Sequence, residues 1–156
     1  METPLVRSLT DQYDRLWHSM RDALTKCPDD LWRTSDVDWL IPARLAYHAI
    51  QACDFYSRPT NDFNWNNLQA NWETSPPDQL PSRQKILDYQ THVANQVKAW
   101  LLHLGDPGLL LEEKTFTWTG TLVLDRAIYS LRHAQHHLGQ LNAELRRHHL
   151  ARGQWA

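Results

Sequence analysis

Two histidines near the C-terminus have a spacing that suits two ligands of one metal ion. His133 and His137 lie four residues apart in a stretch with the apolar pattern of a helix. At about 100° per residue they differ by about 40° around that helix, and their Cβ atoms lie roughly 5–6 Å apart. Two imidazoles at this separation can bind one metal ion. Pairs with this spacing also arise by chance, so the pair alone leaves an ordinary hydrogen-bonding role equally open.

The neighbours of this pair divide into a core side and a solvent side. His136 lies about 60° to the other side of His133, which predicts that it faces solvent, whereas His137 lies nearer the apolar stripe. The face centred on the pair also holds Gln140 and Glu144. These two are candidates to orient the imidazoles or to contact a ligand, and a plain polar role at the helix edge is as compatible with them.

A third metal ligand must come from another helix, and His48 is the best candidate. It lies beside the apolar arc of the second predicted helix, in the middle of that helix, where the backbone is rigid. The remaining histidines have no paired neighbour or lie in a terminal segment, so we expect ordinary surface or core roles for them; they are His18, His92, His103, His148 and His149.

The spacing of apolar residues predicts four long helices and no sheet. The helices span about 3–27, 41–57, 81–104 and 120–149, with a proline after the first and the sequence GDPG at 105–108 after the third. The polar segment 58–81 predicts a loop that Trp65 and Trp72 fold back onto the body, and 113–118 is interpreted as coil. The sequence therefore predicts an all-α four-helix bundle, with residues 1–156 forming one domain.

Composition excludes several classes of partner. Sixteen Lys and Arg nearly balance eighteen Asp and Glu, giving a formal charge of -2, so neither nucleic acid nor an acidic membrane surface is expected as a partner. No long apolar run or leader segment is visible, which favours a cytoplasmic protein. Cys27 and Cys53 do not form a CxxC pair and are expected to be buried and reduced.

Two segments resemble the DinB/YfiT-like superfamily of four-helix bundles, which carries one histidine in its second helix and an HxxxH pattern in its last. The matching segments are WLIPARLAYH at 39–48 and HAQHHLGQL at 133–141. The HHxGQL ending and the tryptophan nine residues before His48 are the more specific features. The resemblance covers the whole chain in helix order.

The resemblance implies a divalent metal ion, commonly zinc or nickel, held by His48, His133 and His137, and often a homodimer. Relatives include thiol-dependent S-transferases that use bacillithiol or mycothiol, and a maleylpyruvate isomerase. No substrate residue can be carried over onto the Asn- and Trp-rich insert at 61–72 or onto the loop at 105–120.

Three neutral imidazoles leave a divalent ion with an open position, as in catalytic sites. Our leading hypothesis is an enzyme that activates a small-molecule thiol for transfer to an electrophile, since a bound metal lowers the pKa of a thiol or of water. The alternatives are a metal-dependent hydrolase with Glu144 as base, a stress protein that binds a metal or ligand without turnover, and a structural bundle with no metal.

Overall fold

A computed structural model of the protein describes residues 3–156, and its regular structure is helical. The elements are α1 (Pro4–Lys26), α2 (Asp29–Trp32), α3 (Pro42–Tyr56), α4 (Arg83–Leu109) and α5 (Val123–Arg147). Over the described range no β-strand is present, and one isolated bridge pairs Glu112 with Leu122. The prediction of an all-α protein is confirmed. None of the described helices is both long and apolar enough to cross a membrane.

The helix α3 lies at the centre of the structure. It packs mainly against α5 and also against α4, while α1 packs against α4 and α5. Every residue of α3 is buried except His48. A helix that is apolar on nearly all sides belongs in the interior, because each of its faces then has apolar surface to remove from water. His48, the one partly exposed residue of α3, therefore lies on a helix that is otherwise buried.

The third predicted helix bends where the sequence predicted that it ends. Gly105 has φ 60° and ψ 177°, a conformation that residues with a Cβ rarely adopt, and helical structure then resumes as far as Leu109. The resumed turn places the carboxylate of Asp106 at the start of α1, where it accepts the backbone N–H groups of Leu5 and Val6, each at 3.1 Å. These N–H groups have no partner within their own helix, so the bend supplies a cap for α1.

The segment 58–81 is a loop, as predicted, and it lies against α3. Arg44 donates to the carbonyl oxygen of Trp72 at 2.8 Å, and Gln51 donates to the carbonyl oxygen of Trp65 at 3.1 Å. Both donors are buried side chains of α3 and lie seven residues apart, which places them on one face of the helix. Long polar side chains of the central helix therefore fix the loop that covers it.

A buried ion pair stabilises the connection between α4 and α5. The side chains of Glu113 and Arg126 are only 2% and 7% exposed, and the Glu113 Oε2 atom lies 3.1 Å from the Arg126 Nε atom. The other carboxylate oxygen of Glu113 accepts the backbone N–H groups of Thr115 and Phe116, each at 2.8 Å. This carboxylate therefore holds the connection against the first turn of the helix that supplies two of the three candidate ligands.

We expect Glu113→Ala to lower the free energy of unfolding by about 3–5 kcal/mol, because it leaves a buried guanidinium without its counter-charge and two backbone N–H groups without an acceptor. Urea unfolding followed by circular dichroism measures the change. The matched control is Glu112→Ala, which removes a carboxylate that is 74% exposed and pairs only with an exposed lysine; we expect an effect below about 0.5 kcal/mol. Equal effects of the two substitutions would contradict this account of the connection.

Candidate metal centre

The structure brings together the three histidines that the sequence singled out. The Nε2 atom of His133, on α5, lies 3.0 Å from Nε2 of His48, on α3, and 3.1 Å from Nε2 of His137. One ring nitrogen from each of the three lies within 4.8 Å of the other two. The ring planes are inclined to one another by 62°, 68° and 75° in the three pairs, so no two of these imidazoles stack. Three nitrogens therefore converge on one point.

The three ring nitrogens are close enough to share one metal ion. Nitrogens bound at 2.0–2.1 Å to a tetrahedral zinc ion lie about 3.3–3.4 Å apart, slightly further than the 3.0 and 3.1 Å between the Nε2 atom of His133 and its two neighbours. The Oε1 atom of Gln140 lies 2.7 Å from Nδ1 of His137, so that Nδ1 carries the hydrogen and Nε2 offers a lone pair to the centre. A cation accepts a lone pair from all three rings at once, which an N–H group between them cannot do. The group could therefore hold a metal ion.

The surroundings of the three rings keep them unprotonated. Burial lowers the pKa of His48 to about 3, and the neighbouring His137 and His133 add to the effect. Burial lowers the pKa of His133 to about 4, and it also lowers the pKa of His137. Because only a neutral imidazole can donate to a metal, the centre is in its binding form throughout the neutral pH range.

A tryptophan of the loop at 58–81 covers His48. The ring centroids of Trp72 and His48 lie 3.7 Å apart with the planes inclined by 27°, so the indole stacks on the imidazole. The Nδ1 atom of His48 is buried and has no hydrogen-bond partner within residues 3–156. Metal-binding histidines usually donate this second N–H to an acceptor that fixes the ring. Here the stacked indole and the buried helix fix the ring of His48. The sequence did not predict this contact, because its only signal was a loop rich in tryptophan.

The two polar residues proposed to support the centre have different positions. Gln140 contacts His137, as described above. Glu144 is buried, and its carboxylate accepts from the hydroxyl of Ser35 at 2.7 Å and from Arg147 at 3.0 Å. None of the hydrogen bonds of the described residues joins Glu144 to the three histidines. Its carboxylate fastens the segment before α3 to the end of α5, so it acts on the arrangement of the helices.

The remaining six histidines lie outside the centre. His136 is exposed, and although its ring centroid is 5.1 Å from that of His137, it does not belong to the group of converging nitrogens. The prediction from its angle around the helix is confirmed. The others are also exposed, and they are His18, His92, His103, His148 and His149.

Comparison of the chain with models of known protein families gave no match. A search of curated proteins likewise found no match. The site geometry and the sequence motifs therefore carry the functional argument.

We expect Gln140→Leu to weaken metal binding by about 10- to 100-fold, because Nδ1 of His137 then lacks the acceptor that orients the ring. Gln140→Glu keeps an acceptor oxygen and should keep most of the affinity. A competition titration against a chromophoric chelator measures both variants. The matched control is Gln135→Leu on the same helix, since Gln135 lines a groove between α1 and α5 away from the converging nitrogens. The role of Gln140 is contradicted if the control weakens binding as much.

We expect the free energy of unfolding of the metal-free protein to fall as pH decreases from about 6.5 to about 4. In the unfolded chain the three histidines bind protons near their ordinary pKa of about 6.5, whereas the folded protein resists protonation to lower pH. Above pH 6.5 both states are neutral and the contribution is constant. Urea unfolding of the wild type and of a variant with Gln at positions 48, 133 and 137 isolates this contribution, and identical pH profiles would argue against it.

Proposed function

We propose that this chain is a metal-dependent protein of the DinB/YfiT-like type. In this proposal α1, α3, α4 and α5 form the four-helix bundle of that superfamily, and His48, His133 and His137 hold a divalent ion, zinc or nickel. The observation that carries the proposal is the convergence of three Nε2 atoms from two helices. The motifs at 39–48 and 133–141 supply these same three residues.

The proposed activity is the transfer of a small-molecule thiol to an electrophile. A divalent ion held by three nitrogen ligands keeps one coordination position open. The ion would lower the pKa of a thiol that enters this position. The chain contributes fixed geometry: the contact with Gln140 sets the tautomer of His137, and the Trp72 indole shields one face of His48 from water. In the net reaction the thiol loses its proton to solvent, its sulfur bonds to the electrophilic carbon, and the leaving group departs with its bonding electrons.

Transfer is favoured over hydrolysis by the position of Glu144. A hydrolase would need a base beside the centre, and the sequence offered Glu144 for that role. Its carboxylate is committed to Ser35 and Arg147. The proposed partners also come from the resemblance. They are a small thiol and an electrophile as substrates, and a second copy of the chain in a homodimer.

Metal analysis tests the centre. After dialysis against zinc or nickel and then against buffer, we expect one ion per chain in the wild type and a loss of at least 100-fold in affinity for His48→Ala and His133→Ala. His136→Ala is the matched control, because that residue is an exposed histidine on the same helix. Retention of the ion by His133→Ala, or its loss from His136→Ala, contradicts the proposed ligand set.

An assay with monochlorobimane tests transfer. We expect product only when the metal-loaded protein, the electrophile and a thiol are all present, with a carbon–sulfur bond formed as chloride leaves. His133→Ala should lower the enzymatic rate to background, and substitution of an exposed histidine away from the centre, His103→Ala, should not. A rate that does not depend on the thiol contradicts the proposed reaction, even if the ion is bound as expected.

A further inference from the structure

A cavity opens beside the candidate metal centre on the α5 side. Its volume is about 260 Å³, and it is lined by Tyr129, Arg132, His133 and His136. One of these residues, His133, also belongs to the group of converging histidines, so it borders both the cavity and the centre. The indole of Trp72 covers the ring of His48, so the centre is closed there. A ligand of the centre that extends beyond the histidines has room on the Tyr129 side.

The cationic residue of this cavity has no anionic partner in the protein. Arg132 forms no ion pair or side-chain hydrogen bond with any of residues 3–156, and no carboxylate lines the cavity. The groove on its other side, between α1 and α5, adds Arg15 and no Asp or Glu side chain. Its guanidinium lies over the ring of Tyr129, 5.4 Å from the centroid, which limits its range of positions. The donors of the guanidinium are thus held near the cavity and are available to a ligand.

We propose that Arg132 binds the carboxylate of an anionic ligand whose other end reaches the three-histidine centre. This inference rests on the proposed function and specifies its substrate: the thiol that enters the centre carries a carboxylate. A planar guanidinium matches the two oxygens of a carboxylate, and this charge-assisted contact is among the stronger hydrogen bonds in proteins. The bound cation and the guanidinium would both face the ligand, and no Asp or Glu side chain lines the cavity to balance their charge.

The test compares two thiols that differ in one charge. Protein loaded with Co²⁺ is titrated with 3-mercaptopropionate and with its methyl ester, and the cobalt–thiolate absorption band in the near ultraviolet reports binding. We expect the acid to bind at least about tenfold more tightly than the ester at low ionic strength. The preference should decrease as salt is added, because the guanidinium is exposed to solvent.

Substitutions assign the preference to a residue. Arg132→Gln should bring the two affinities within about twofold of each other, Arg132→Lys should keep part of the preference, and all variants should bind Co²⁺ as the wild type does. The matched control is Arg146→Gln, an exposed arginine on the same helix about 21 Å further along its axis. It should leave the preference unchanged.

Each contrary result has a distinct meaning. Equal binding of acid and ester by the wild type, or an unchanged preference in Arg132→Gln, overturns the carboxylate subsite and leaves thiol binding intact. If Co²⁺ binds and neither thiol produces the band, the thiol chemistry of the proposed function fails and this inference fails with it. If Co²⁺ does not bind, the metal centre itself is contradicted.

Discussion

The enclosure of α3 is the constraint on which the rest of the structure depends. Because every residue of this helix except His48 is buried, its neighbours α4 and α5 and the loop at 58–81 must each present a matching surface to it. Its buried polar side chains therefore need hydrogen-bond partners inside the protein. Arg44 and Gln51 donate to backbone carbonyl oxygens of the loop. The position of His48 follows from that packing, with little freedom left to the side chain.

Much of this arrangement could be predicted from local sequence. The period of the apolar residues gave the four long helices to within a few residues at most ends, and angles around one helix separated His136 from His133 and His137. These features depend on residues that are close together in the chain. The sequence indicated His48 as the third ligand because it lies beside the apolar arc of its own helix.

The features that sequence reasoning missed depend on partners far apart in the chain. The bend at Gly105 brings Asp106 to the start of α1, about a hundred residues away. Glu144 was placed on the face of the site, but its carboxylate bonds to Ser35, 109 residues earlier. The stacking of Trp72 on His48 joins a loop to a helix, and no helical or strand period predicts where a loop side chain points. Pairings of this kind become visible only when the chain is folded.

The indole over His48 would also affect how fast an ion held by the three histidines exchanges with solvent. Trp72 belongs to a loop, and loops open locally at a lower free energy than packed helices do. Opening this loop would break the hydrogen bonds that Arg44 donates to the carbonyl oxygens of Trp72 and Ser75, while α3 and α5 stay in place. For an ion held by the three nitrogens, exchange from the Trp72 side would then depend on the lifetime of the closed loop. The affinity for the ion would depend instead on the two helices that carry the nitrogens.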